Sequence, residues 1–180
     1  MSHPGPLADL PEPELPTGFS FRPATTDDAD ELAALVTAAY DPEHDAPWDG
    51  ARMRTELLEA ADVLETWVAV DPDGRIHATA SERLLPYIYP EGTGYVHFVG
   101  TLRDSQGLGL GRAITLRVLR GFVDRGLTKA VLNTADFRLP AVRLYLQLGF
   151  LPEYREDSER SAWSALFRHS LMAGRQSATS

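Results

Sequence analysis

A chain of 180 residues with 43% hydrophobic and 24% charged side chains has the composition of one globular domain with a sizeable core. Its formal net charge of −9 argues against general nucleic-acid binding, which depends on a basic surface. The lack of cysteine excludes a disulfide framework, a thiolate-held metal and an acyl-cysteine intermediate.

Residues 1–17 hold five prolines and little apolar content, and read as a flexible or extended arm. This stretch has neither the basic region nor the apolar core of a signal peptide. No apolar run approaches the roughly 20 residues that span a bilayer, so a cytoplasmic protein without membrane contact is expected. The domain itself is expected over residues 18–170, followed by a small, polar tail over 171–180 expected to be disordered.

A first strand is predicted over residues 19–22. Thr26 then caps a helix whose first turn is acidic (Asp27, Asp28, Asp30, Glu31), as the helix dipole favours. Its apolar stripe is Leu32, Leu35, Val36, Ala39 and Tyr40, at helical spacing. Pro42, Pro47 and Gly50 break the chain before a second helix over 51–61. Strands over 66–70 and 76–85 flank Asp71-Pro72-Asp73-Gly74, a strong hairpin signal.

After a loop over 86–94, a fourth strand covers 95–101. The next helix begins near Arg112 and ends near Gly126, with a stripe of Ile114, Thr115, Val118, Leu119, Phe122 and Val123. A short strand over 129–133, a helix from Ala141 and a last strand over 162–167 complete the order. The fold class is therefore α/β (α+β), with helices packed on a mostly antiparallel mixed sheet.

The segment Gln106-Gly107-Leu108-Gly109-Leu110-Gly111-Arg112 lies between the fourth strand and that amphipathic helix. Alternate glycines let the backbone approach a ligand and turn N–H groups toward it, and the helix start adds positive partial charge. The segment reads either as an anion cradle, most plausibly for phosphate, or as a glycine-rich connection without a ligand. The dinucleotide spacing fails, because the third glycine falls on Arg112 or Ile114. A Walker loop fails as well, since no Lys-Ser or Lys-Thr pair follows.

What remains is Gln-x-x-Gly-x-Gly, met by Gln106, Gly109 and Gly111. This resembles the acyl-CoA pyrophosphate loop of the GNAT N-acetyltransferase superfamily. The run Ala141-Val142-Arg143-Leu144-Tyr145-Leu146-Gln147-Leu148-Gly149-Phe150 resembles the family's later Ala-x-x-Leu-Tyr-x-x-x-Gly-Phe motif, in the right order. Within the superfamily, the stretch from Val99, Gly100 and Thr101 to Gln106 looks like a mycothiol-synthase-type acetyltransferase domain.

The resemblance implies a sheet splayed between its fourth and fifth strands, with the donor's pantetheine arm in the gap. It implies acetyl-CoA as donor, no metal, and direct attack of an amine on the thioester. Backbone groups from Gly107 to Arg112 would hold the pyrophosphate, those of Val99 and Thr101 the pantetheine amides. Tyr145 would be the general acid beside the sulfur.

For the base, Tyr95 and His97 share one strand face, and His97 has an ordinary pKa near 6.5. Tyr95 stands eleven residues before Gln106, where relatives carry glutamate. Glu82 is the carboxylate candidate, acting through water. Arg138 replaces the family's asparagine and would reach a phosphate, or Asn133 would serve from the strand. The other arginines around the loop (Arg103, Arg112, Arg117, Arg120, Arg125) divide between phosphate contacts and solvated positions.

Glu43, His44, Asp45 and Trp48 give the loop between the first helices groups suited to an ammonium or a ring. The expected partners are acetyl-CoA and a small amine, with no nucleic acid and with a homodimer left open. The alternatives are a non-catalytic acyl-CoA-binding regulatory module and a protein or peptide N-acetyltransferase.

Overall fold

The computed structural model describes residues 1–40, 43–153 and 163. Strands β1 (Ser20–Pro23), β2 (Val63–Val70), β3 (Ile76–Arg83), β4 (Thr93–Thr101) and β5 (Lys129–Leu132) form one sheet in chain order. The first three joins are antiparallel and the last is parallel. The helices are α1 (Ala29–Ala39), α2 (Gly50–Met53, continued by a wider turn over Arg54–Leu58), α3 (Leu110–Asp124) and α4 (Leu139–Gln147). Of the strand expected over 162–167 only Trp163 is described, and it is helical rather than extended; the tail over 171–180 lies outside the described residues.

Strand alternation separates two cores. Val68 and Val70 of β2 pack with Leu32, Leu35, Met53 and Leu57 of α1 and α2. Ala69 between them packs with Ile114, Val118 and Phe122 of α3. Burying each large apolar side chain contributes about 1.5–3 kcal/mol, so these two faces hold the layers together.

Helix α1 starts later than expected. The helix entry is capped by Thr25 and not Thr26, because the Asp28 carboxylate accepts the Thr25 N–H at 2.7 Å. Arg22 grips the same carboxylate at 2.7 and 2.8 Å, holding Asp28 below its usual pKa. A short turn over Thr26–Asp28 fills the space before α1. In the hairpin turn, Asp71 Oδ1 accepts the Asp73 and Arg75 N–H groups at 3.0 and 2.9 Å.

Two irregularities of β4 make the site. Ser81 pairs with His97 but Thr79 pairs with Gly100, so β4 carries one extra residue, a bulge. Phe98 in that bulge has φ 56°, a conformation costing on the order of 1–3 kcal/mol for such a side chain. Its ring turns to the α1–α2 side and meets Trp48 edge-on at 4.5 Å and Tyr40 at 5.9 Å. The second irregularity is the end of pairing. β4 and β5 stay together from Thr93↔Lys129 to Val96↔Leu132 and then part, leaving the rest of β4 facing a gap.

The first three residues of the proline-rich arm lie against the far edge of β5, and a short turn over Leu7–Asp9 follows. His3 N–H donates to Ala130 O and Leu132 N–H to Met1 O, at 2.9 and 3.0 Å. Ser2 bridges Val131 and Leu151, and Leu7 is buried.

Candidate active site

The gap opens into a cavity of about 840 Å³ walled by the end of β4, the glycine loop and the start of α4. Gly107 and Gly109 have φ 84° and 83°, left-handed values that strain any other residue. Gly109 is the N-cap of α3 and offers no capping side chain. The first helical bond, Ala113 N–H to Gly109 O, measures 3.0 Å. The N–H groups of Leu110, Gly111 and Arg112 therefore have no acceptor within the helix. A Cβ on Gly107 or Gly109 would meet nothing within 4 Å, so the loop stands open. Open loop, unpaired N–H groups and the positive end of a fifteen-residue helix fit a phosphate-bearing donor. Arg103 and Arg112 line the same cavity, and Arg143 joins them from α4.

A second cavity of about 400 Å³ continues from the first, and the two share Tyr40, Val99, Arg138, Ala141 and Tyr145 as walls. Tyr145 is 5% exposed, and burial raises its hydroxyl pKa well above the ordinary value near 10. Tyr40, at the end of α1, is shifted the same way for the same reason. Tyr95 is raised by burial too, and Asn133 lines the same cavity from just beyond the end of β5.

His97 sits beside Tyr95, with ring centroids 5.5 Å apart. Arg83 Nη1 lies 3.0 Å from His97 Nε2. A guanidinium can only donate, so Nε2 accepts and Nδ1 carries the ring proton. Burial and the nearby Arg83 charge lower the His97 pKa to about 4. Arg83 is held in turn by Asp62 at 2.8 Å. Over the cavity, Arg138 Nη2 grips both Asp45 oxygens at 2.5 and 2.7 Å. Its Nε is buried without a partner among the described residues.

The gap thus gathers most of the residues expected from sequence. Val99, Gly100, Thr101, Gln106, Gly107, Gly109, Leu110, Gly111 and Arg112 line the larger cavity, Asn133, Tyr95 and His97 the smaller, and Tyr145 and Arg138 both. Leu108 is half-exposed and lines neither.

Glu82 is a correction. It pairs with Val96, whose side chain faces α3, and so lies on the opposite sheet face from Tyr95 and His97. There it is buried, accepting from Trp67 Nε1 at 2.7 Å and Arg125 Nε at 2.9 Å. Gly121 of α3 leaves room for it, since a Cβ there would sit 1.8 Å from Glu82 Oε1.

Arg138 is turned toward Asp45 rather than toward the glycine loop. Arg117 stacks on Trp67 at 3.9 Å, Arg120 pairs with Glu12 and Arg125 with Glu82, all away from the gap. Tyr40 and Arg143 are the wall residues that sequence reasoning missed. For Tyr40, the signal was its place as the last member of the apolar stripe, at a break in the chain.

A sheet that parts between parallel strands, with an open helix start beside the parting, fits a phosphate-bearing donor. The model of the acetyltransferase (GNAT) family matches residues 30–150, and the chain belongs to that family of N-acetyltransferases. Membership implies acetyl-CoA as donor, together with an acceptor. Over 151 residues the chain is 35% identical to a mycothiol acetyltransferase from Pseudarthrobacter chlorophenolicus, covering 79% of this chain and 46% of that protein. Over 169 residues it is 33% identical to the mycothiol acetyltransferase of Frankia alni, covering 86% and 49%.

The chain spans about half the length of the curated relatives it matches. Among solved structures, a GCN5-related N-acetyltransferase from Kribbella flavida aligns with TM-score 0.56 and 26% identity over 84% of this chain and 53% of that one. The ribosomal-protein-S18-alanine N-acetyltransferase of Escherichia coli aligns with TM-score 0.62 over 76% and 79%, and at 19% identity it bears on the fold alone. Among the described residues, no helix is long and apolar enough to cross a membrane.

Proposed function

We propose that this chain moves an acetyl group from acetyl-CoA to the amine of a small molecule by direct transfer. The observation that carries the reading is Tyr145, buried where the larger and smaller cavities share a wall. Acetyl-CoA supplies an acyl carbon activated as a thioester. The backbone from Gly107 to Arg112 holds phosphate, and Arg103, Arg112 and Arg143 complement its charge. The unpaired edge of β4 at Val99 and Thr101 offers backbone groups to the donor's amides, which lays the acyl end against Tyr145.

The smaller cavity takes the amine. Tyr40, Tyr95 and Phe98 give it aromatic walls, and Asp45 is its carboxylate. The aromatic faces draw in an ammonium, which gives its extra proton to water before the neutral amine reacts. As the carbon–nitrogen bond forms and the carbon–sulfur bond breaks, the amine gives up a proton and the sulfur needs one. Tyr145 stays protonated at any working pH because burial raises its pKa, so it donates that proton and regains one from the amine side. His97 does not serve as base, because its accepting nitrogen is committed to Arg83. It shapes the wall instead.

Thiol release from acetyl-CoA, followed over a panel of small amines and of peptides with free lysine or N-terminal amines, tests the reading. Turnover with small amines is expected. Turnover confined to peptides moves the acceptor to protein, and binding without turnover leaves a non-catalytic module. Failure to bind acetyl-CoA at all defeats the transferase reading.

A further inference from the structure

Asp71, His77 and Ser105 form a continuous hydrogen-bonded line outside the gap's reactive centre. His77 Nε2 lies 2.9 Å from Asp71 Oδ2, and His77 Nδ1 lies 2.7 Å from Ser105 Oγ. Its ends belong to distant parts of the fold. Asp71 is the first residue of the β2–β3 turn, and its other oxygen is already engaged by the turn's N–H groups. Ser105 closes the short turn over Arg103–Ser105 and directly precedes Gln106, where the glycine loop begins. Ser105 is 3% exposed and lines the larger cavity.

The bond directions follow from chemistry. A carboxylate only accepts, so His77 carries a proton on Nε2, and in the neutral imidazole Nδ1 accepts from the Ser105 hydroxyl. The bond from His77 holds the Asp71 carboxyl below its usual pKa, consistent with a carboxylate. Phe19 packs edge-on against the imidazole at 5.2 Å, and Leu102 N–H donates to His77 O at 2.9 Å. The ring is thus fixed on both nitrogens, on its face and through its backbone. The loop that follows is rich in glycine and has little stiffness of its own.

We infer that Asp71, His77 and Ser105 are positioning residues for the donor, a relay that fixes the entry of the glycine loop from the β2–β3 turn. The inference rests on the proposed use of that loop for acetyl-CoA. A loop held in its binding shape before the ligand arrives loses less freedom on binding, so breaking the relay weakens the donor without touching the acyl end.

Calorimetric titration of CoA into the wild type and into Ser105→Ala, His77→Phe and His77→Asn, beside thermal unfolding of each, tests the relay. CoA is expected to bind Ser105→Ala and His77→Phe about tenfold more weakly, with thermal midpoints close to the wild type. His77→Asn is expected to recover part of the loss, because its amide oxygen stands near the lost Nδ1 and accepts from Ser105. In turnover with any amine that reacts, the donor KM rises and kcat holds. A Ser105→Ala protein that binds CoA like the wild type overturns the relay. If Ser105→Ala does not fold, equal affinities for His77→Phe and His77→Asn overturn it. A wild type that does not bind CoA defeats instead the transferase reading on which the relay stands.

Discussion

The end of the gap proposed for the donor is built from consecutive residues and mostly from backbone, whereas the end proposed for the acceptor is built from side chains far apart in the chain. Gly107 to Arg112 present N–H groups that belong to no particular side chain. Across the gap, Tyr40 ends α1, Asp45 follows it, Tyr95 and His97 stand on β4, and Arg138 and Tyr145 flank and occupy α4. Backbone conformation shapes the first end, with Arg103, Arg112 and Arg143 adding charge around it. Several side chains at once specify the second, and exchanging any of them alters its shape. On the proposed reading, a site divided this way keeps its donor while its acceptor follows from the side chains.

Tyr145 stands on the division, and Tyr145→Phe carries the largest expected effect. Removing the hydroxyl leaves the ring, its 5% exposure and its contact with Phe150 largely as they are. Turnover is expected to fall about 100-fold or more, in the range of a lost general acid, while CoA affinity changes less than about twofold. Steady-state kinetics beside calorimetry separates the two. Unchanged turnover removes Tyr145 from the chemistry, and an equal loss of affinity and turnover makes it part of the donor end.

The next effect belongs to the acceptor end and appears in stability. Folded His97 has its pKa lowered to about 4, against an ordinary value near 6.5 in the unfolded chain. Between those values the unfolded state binds more protons than the folded one. Stability is therefore full above about pH 6.5 and falls as pH drops toward 4, by about 3 kcal/mol at most from this group. Urea unfolding at pH 7 and at pH 4.5 checks the wild type, and His97→Gln is expected to flatten that window. A wild-type stability that is level between the two would mean that His97 is protonated without cost, and that Arg83 does not hold its Nε2.

The contrast also sets what the sequence could disclose. Left-handed backbone writes itself as glycine, so the loop was legible at Gly107 and Gly109, and Asp71 to Gly74 announced the hairpin in the same way. Tyr145 was singled out by the resemblance of its Leu-Tyr and Gly-Phe run to the family's later motif, and its ring is buried beside both cavities. Glu82 was not. Alternation places it on one of two faces, but only its pairing with Val96 and the glycine at 121 decide that it lies under α3. The bulge at Phe98 is equally silent, because nothing in Tyr95 to Gly100 reports one extra residue against β3. The Arg138–Asp45 pair joins residues 93 apart, a separation that no local pattern reaches.

Gly109→Ala makes the smallest change at the donor end and isolates its backbone character. An added Cβ there meets nothing within 4 Å, so no side-chain clash contributes. What remains is the conformational cost of φ 83° for an L-residue, about 1–2 kcal/mol. If the loop keeps its shape, the thermal midpoint drops by that equivalent and CoA binds as before. If it relaxes, stability is retained and CoA affinity falls about tenfold, because the N–H groups no longer converge. The relay through Ser105 anchors only the entry of the loop, and a Cβ at Gly109 has nothing within 4 Å to hold it in place, so relaxation at Gly109 is the expected outcome. A CoA titration with a melting curve for each protein reads both quantities. No loss in either would mean that the left-handed turn at Gly109 is incidental, and that the donor end depends on side chains after all, as the acceptor end does.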